Sequence, residues 1–207
     1  MRLRNVKNKD VILDNSRYIV KDPVNYKGKW NSLFNSNPIH VEIGSGKCGF
    51  LKGMALKYPD INFIGVEKSD SVLALGVKNI SEDIPNLKFI VYDASKIDEV
   101  FSKEVDVLYL NFSDPWPKSR HEKRRLTYEE FLKKYDLIFK DKKRIVLKTD
   151  NMGFFEYSLC SLSKYGYRFN RVNLDLQNEE NSDNIMTEYE IKFVKKGVNI
   201  YLLDAEK

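Results

Sequence analysis

Three acidic residues stand beside segments whose shape suits a nucleotide. Glu42 lies two residues ahead of a glycine-rich turn, Glu42-Ile-Gly44-Ser-Gly46-Lys-Cys-Gly49, at the end of the apolar run Ile39–Ile43. Glu67 closes the next apolar run, Asn62–Val66, and Asp93 closes the one after, Leu87–Val91. Glycines at such a turn let a ligand approach the backbone, and a carboxylate at the second position accepts from both hydroxyls of a ribose. The third acid is placed to accept from an adenine amino group. The spacing Gly-x-Gly-x-x-Gly also fits a dinucleotide with its pyrophosphate at the following helix, and taken alone it fits a tight turn without a ligand. Charge separates these readings. An acid beside the turn repels a pyrophosphate and suits a sulfonium cation, so the row of acids favours S-adenosylmethionine over NAD. Any one of them singly also matches a solvated loop carboxylate.

A fourth acid follows the run Val105–Leu110, in Asn111-Phe-Ser-Asp114-Pro-Trp116-Pro117. Two prolines stiffen this turn around the tryptophan. Asp114 is the candidate catalytic residue, although an aspartate before proline also caps turns. Trp116 reads either as packing or as a platform on which a base stacks. Between Lys118 and Arg125 stand five Lys/Arg and one His: Lys118, Arg120, His121, Lys123, Arg124 and Arg125. A charge run is ordinarily a solvated face. Beside a rigid turn at a ligand-binding sheet edge, it suits contact with phosphates.

The elements that must position these residues alternate. Strands are expected at 39–43, 62–66, 87–91, 105–110 and 144–147. Helices are expected at 47–58, 69–81, 127–140 and 152–164, with a short one near 97–101. Strand-like runs follow at 167–174, 188–194 and 199–203, and 178–184 reads as a polar loop. Alternation of this kind implies a mainly parallel sheet covered on both faces, and the late strands without helices between them imply an antiparallel edge. Residues 1–37 are polar and irregular and read as a partly flexible arm, with a short helix at 27–34 carrying Trp30, Leu33 and Phe34. Residues 38–207 read as a single domain.

Composition sets outer bounds. A chain of 207 residues with 42% hydrophobic and 31% charged residues can build a single globular core. Cys48 and Cys160 are distant, and no Cys/His cluster suggests zinc. The charged start carries no signal-peptide pattern and no apolar run is long enough to span a bilayer, so the cytoplasm is the expected location. An excess of 35 Lys+Arg over 30 Asp+Glu, net +5, points weakly to a polyanionic partner. Metal and membrane partners are not expected, and either a monomer or a homodimer is compatible with the sequence. An amino-methyltransferase, an NAD-linked oxidoreductase and a non-catalytic RNA-binding protein are the competing classes. The oxidoreductase leaves the basic loop unexplained, and the RNA-binding protein leaves the acids unexplained.

Longer stretches carry a resemblance. Val41–Lys47, Asn62–Glu67, Leu110–Lys118, Arg120–Thr127, Lys148-Thr-Asp-Asn151 with Phe154-Phe-Glu156, and Thr187-Glu-Tyr-Glu190 with Lys192-Phe193 occur in this order. Together they resemble the bacterial tRNA (guanine-N7-)-methyltransferase family over roughly residues 39–203. The resemblance implies an α/β, class I S-adenosylmethionine-dependent (Rossmann-like) fold. Its sheet would be mostly parallel and seven-stranded, with an antiparallel C-terminal edge. The implied reaction is methyl transfer from S-adenosylmethionine to N7 of the variable-loop guanosine (position 46) of tRNA. It assigns Glu42, Gly44, Gly46, Glu67, Asp93 and Asp114 to the cofactor, with Asp114 also catalytic. Lys118, Asp150, Thr187, Glu188, Tyr189 and Glu190 fall to the substrate, and the loop Arg120–Arg125 to RNA. Cys48 departs from the family, which carries glycine there; cysteine is small enough for the turn to survive.

Overall fold

Short runs rich in Val, Ile, Leu and Phe become the central strands of the computed structural model, which describes residues 6–179 and 184–207, and more polar runs become its edge. They are β1 (Ile39–Ile43), β2 (Asn62–Glu67), β3 (Leu87–Val91), β4 (Val105–Asn111), β5 (Phe139–Thr149), β6 (Arg168–Asn173) and β7 (Tyr201–Glu206). Their order across the sheet is β3-β2-β1-β4-β5-β7-β6. β1 to β5 run parallel, and β7 lies antiparallel between β5 and β6. The central strands are buried almost throughout, as a sheet covered on both faces requires. The chain moves outward from β1 to β3, then returns to lay β4 on the other side of β1. This reversal opens a crevice at the carboxyl ends of β1 and β4, where such sheets bind ligands.

Helices α1 (Lys9–Asn15), α2 (Gly49–Lys57), α3 (Asp70–Lys78), α4 (Glu129–Ile138), α5 (Met152–Lys164) and α6 (Glu188–Val194) flank the sheet. Their ends differ from the sequence expectation for local reasons. α2 starts at Gly49 rather than 47 because Cys48 adopts a left-handed backbone, φ 69°. α3 starts after Ser69, whose side chain accepts from the Val72 N–H. α4 stops at Ile138, since Phe139 is extended and pairs with Val105 as the first residue of β5.

Two expectations change more. The run 188–194, read as a strand, is helix α6. Thr187 accepts from the Glu190 N–H while the Glu190 carboxylate accepts from the Thr187 N–H, a reciprocal cap that fixes a helix start. Its alternation of polar and apolar residues was too short to outweigh that cap, and the last strand, expected at 199–203, is Tyr201–Glu206. Within the stretch 1–37, read as a partly flexible arm, Tyr18 to Trp30 lies against the domain. Tyr18 O and Val20 N bond to Phe89 along the outer edge of β3 (2.7 and 2.9 Å). Trp30 is fully buried, stacked on Phe101, and its indole N–H donates to Val100 O (2.8 Å). Glu104 holds the Gly28 and Trp30 N–H groups. Of the polar loop expected at 178–184, residues 180–183 lie outside the described residues, as do residues 1–5 of the charged start. Among the described residues, no helix is long and apolar enough to cross a membrane.

Candidate functional site

The glycine-rich turn joins β1 to α2 through left-handed positions at Gly44 (φ 81°), Gly46 (φ 54°) and Cys48. Gly44 N and Ser45 N both donate to Val66 O, tying the turn to the end of β2. Cysteine in a left-handed conformation carries a steric cost that glycine avoids. The turn tolerates it because Gly76 of α3 leaves room: a Cβ at Gly76 would come within 2.5 Å of the Cys48 Sγ.

Three of the sequence-predicted acids meet around this turn. Glu67 accepts from Gly46 N (3.0 Å) and Ser69 N (2.8 Å), bracing the turn from β2. Asp93 accepts from Lys68 Nζ (2.6 Å) and Ser95 N (2.9 Å), which together hold its carboxyl down to about 2. Glu42 is buried on the crevice side of β1. Burial pushes its carboxyl up to about 8, offset by the hydrogen bond from Asn111 Nδ2 (2.8 Å) and by the charge of Lys148.

Two cavities open beside the turn. The larger, about 870 Å³, is lined by Glu67, Lys68, Asp93, Asp114, Trp116 and Arg124 among others. The smaller, about 360 Å³, is lined by Glu42, Gly46, Phe50, Thr187, Glu188 and Tyr189 among others. Gly44, Asn111 and Phe112 border both. At this junction Glu42 Oε2, Ser45 Oγ, Asn111 Oδ1 and Ser113 Oγ are buried without a protein partner. Buried polar atoms left unpaired are costly, so four of them clustered at one crevice mark a place shaped for a polar ligand.

The loop after β4 holds Asp114 on a strained backbone. Phe112 (φ 51°) and Trp116 (φ 42°) are both left-handed and neither is glycine. Such conformations cost roughly 1–3 kcal/mol each and persist where the surroundings hold them. Phe112 N donates to Lys148 O (2.8 Å), and the Arg125 guanidinium donates to Trp116 O (3.0 and 3.3 Å). Arg124 covers the Trp116 ring at 4.8 Å, His121 meets its edge, and Arg125 lies over Tyr157 at 4.2 Å. Thr127, fully buried, is fastened to α5 through Ser158 Oγ (2.9 Å) and Ser161 Oγ (2.6 Å). Asp114 is exposed at the rim of the larger cavity, and Lys118, Arg120 and Lys123 face solvent.

The predicted substrate residues divide. Thr187, Glu188 and Tyr189 line the smaller cavity, where Lys47 pairs with Glu188 at 3.3 Å. Tyr189 Oη reaches Asp150 at 3.4 Å and its ring lies 5.0 Å from that of Phe112. Lys118 stands apart on the basic loop. Glu190 borders neither cavity: it is 1% exposed and pairs with Lys148 in the interior. The Thr187 hydroxyl is likewise engaged as the cap of α6. Sequence reasoning gave no role to Asn111 or Lys148, although both stood in quoted motifs. A polar residue at the inner end of an apolar strand was the available signal.

The donor set fits S-adenosylmethionine. Carboxylates at the ends of successive strands can hold a ribose and an adenine amine, and the unpartnered Glu42 oxygen suits a cation. Comparison with known proteins agrees. Residues 36–203 match a family model described as "Putative methyltransferase". A tRNA (guanine-N(7)-)-methyltransferase of Bacillus licheniformis is 50% identical over 200 residues, covering 95% of this chain and 94% of that one. One from Streptococcus pneumoniae is 50% identical over 210 residues and the full length of both. Among solved structures, the 16S rRNA methyltransferase KamB superposes with a TM-score of 0.64 at 10% identity, over 86% of this chain and 92% of that one. A SAM-dependent methyltransferase from Archaeoglobus fulgidus gives 0.56 at 15% identity, over 89% and 92%. These two show the shared fold, with its mostly parallel sheet and antiparallel edge. On the sequence identity, the chain belongs to the tRNA (guanine-N7-)-methyltransferase family.

Proposed function

We propose that this protein transfers a methyl group from S-adenosylmethionine to N7 of the variable-loop guanosine, position 46, of tRNA. The observation that carries the reading is the position of Asp114. It sits on a strained, braced loop between the acid-lined cavity and the basic run. The cofactor supplies an electrophilic methyl group on a positively charged sulfur.

The chain's residues then have separable tasks. Glu67 and Asp93 bind the nucleoside, and Glu42 faces the cationic end at the junction of the cavities. Guanine N7 carries a lone pair and no proton, so no general base is required, and most of the acceleration comes from aligning the reacting atoms. Positive charge develops on the purine during transfer, and the Asp114 carboxylate at the cavity rim stabilises it. The Watson–Crick edge of guanine presents N–H donors, which Asp150 and Glu188 accept. Lys118, Arg120 and Lys123 contact phosphates. The base is turned out of its stack to reach the junction at Gly44, Asn111 and Phe112.

The test is to incubate the protein with methyl-labelled S-adenosylmethionine and unmodified tRNA, beside a copy with adenosine at the variable-loop position. Label on the first RNA only, with N7-sensitive cleavage at that guanosine, is the expected result. Label on both would move the target, and a methylated exocyclic amine would replace this reading with an amino-methyltransferase.

A further inference from the structure

A buried ion pair joins the strand that ends at the site to the helix that borders the smaller cavity. Lys148 Nζ lies 2.6 Å from Glu190 Oε2, with the side chains 3% and 1% exposed. Lys148 also donates to Asn184 Oδ1 (3.0 Å) and Ile185 O (3.0 Å), so all three ammonium donors are engaged. Glu190 in turn accepts from Asn184 Nδ2 (2.5 Å) and from Thr187 N (3.2 Å). Desolvation disfavours the Lys148 charge, and Glu190 offsets that cost.

The pair reaches both parts of the site without lying in either cavity. The Lys148 carbonyl accepts from Phe112 N, the first strained residue of the Asp114 loop. Its ammonium grips the entry to α6, whose Glu188 and Tyr189 do line the smaller cavity. A second close fit seats the same segment, since a Cβ at Gly53 of α2 would come within 2.8 Å of Ile185 Cγ2. The Tyr189 ring then lies between Phe112 (5.0 Å) and Phe193 (4.2 Å).

We infer that Lys148 is a positioning residue for methyl transfer and that Glu190 works through it. The buried pair latches α6 so that Glu188 and Tyr189 face the Asp114 loop, and Glu190 itself does not touch guanine. The inference rests on the tRNA methyltransferase reading above. It differs from the assignment of Glu190 to the substrate, which the family resemblance implies.

Physics supplies the discriminating variants. Breaking a buried pair strands a charge and is strongly destabilising, whereas replacing both partners with apolar groups is often neutral. Lys148→Met, Glu190→Leu and the double variant are therefore compared with the parent in steady-state methylation of unmodified tRNA. Each single variant is expected to lose at least about 100-fold in kcat/KM for tRNA, and the double variant to recover to within about tenfold of the parent. A folded double variant no better than Glu190→Leu would overturn the inference, because it would mean that the carboxylate meets the substrate. Where the single variants do not fold, Glu190→Gln decides. The amide still accepts from Lys148, so kcat, KM for tRNA and cofactor affinity should each stay within about tenfold. A larger loss in kcat/KM with unchanged cofactor affinity would overturn the inference. A parent that labels no tRNA would instead defeat the functional reading. The latch itself is read by hydrogen exchange at amides 187–193, which should quicken at least about tenfold in Glu190→Leu and stay near that of the parent in Glu190→Gln. Unchanged exchange in Glu190→Leu would overturn the latch whatever the substrate.

Discussion

The acidic and basic walls of the cleft are held in place by different means. On the acidic wall, position in the sheet decides the chemistry. Glu42, Glu67 and Asp93 stand at or just past the ends of β1, β2 and β3, and each is bonded to a neighbouring side chain or turn N–H. On the basic wall, six of the eight residues from Lys118 to Arg125 carry cationic or imidazole groups, yet their tasks differ. Arg124 and Arg125 fasten the loop to Trp116 and Tyr157, while Lys118 and Lys123 are exposed and form no ion pair among the described residues. A count of basic residues therefore overstates the contacts available to RNA.

Asp114 cuts across this division, being an acid on the basic wall, and its removal gives the largest expected effect. Asp114→Asn keeps the shape and loses the charge. It should lower kcat about 10²–10³-fold at saturating cofactor, the range for loss of one preorganised electrostatic group. Single-turnover methylation checks this. A kcat unchanged at saturation, with only cofactor affinity reduced, would make Asp114 a cofactor ligand alone and restore the simple division.

Glu42 sharpens the acidic side. Burial holds the Glu42 carboxyl up at about 8, so at pH 7 it is mostly protonated. A cationic ligand favours the ionised form, so binding at pH 7 should release a proton. Affinity should rise about tenfold per pH unit up to about 8 and level off above it. The same shift acts on stability with a defined sign. The folded-state value lies above the unfolded value near 4.5, so the favourable contribution is full below 4.5 and is lost as pH rises through 8. Calorimetry of cofactor binding from pH 6 to 9, in buffers of different ionisation enthalpy, measures the proton directly. Glu42→Gln should flatten the profile; a profile that keeps its slope would assign the proton elsewhere.

The acidic wall was legible in the sequence because a parallel sheet converts strand order into spatial neighbourhood. Once 39–43, 62–66 and 87–91 were strands, their terminal acids had to converge. Other features depend on partners remote in sequence, which local patterns do not encode. Trp30 sits in a polar stretch, and only Phe101, Val100 and Glu104 reveal it as core. Glu190 looked like its neighbours Glu188 and Tyr189 until Lys148, 42 residues away, claimed its carboxylate. Thr187 and Glu190 did carry the signature of a helix cap, and the strand reading of 188–194 passed over it in favour of a seven-residue alternation. Asn111 was hidden differently: its task is set by the unpaired junction beside Glu42, which exists only once β1 and β4 are adjacent.

The smallest expected effect tests whether the basic wall really divides into anchors and contacts. Lys123→Ala removes an exposed cation that lines the larger cavity beside Arg124. If it meets a phosphate, tRNA affinity should fall a few-fold at low salt. The slope of log affinity against log salt should also shrink by about one. Arg125→Ala also removes one positive charge, but the Arg125 guanidinium is bonded to Trp116 O and stacked on Tyr157. Its loss should free the loop, lowering kcat together with affinity, while the salt slope stays nearly that of the parent. Filter-binding isotherms at four or five salt concentrations separate the two outcomes. Equal changes of slope in both variants would mean that Arg125 reaches the RNA as well, and that the wall is a uniform phosphate surface rather than one built from anchors and contacts.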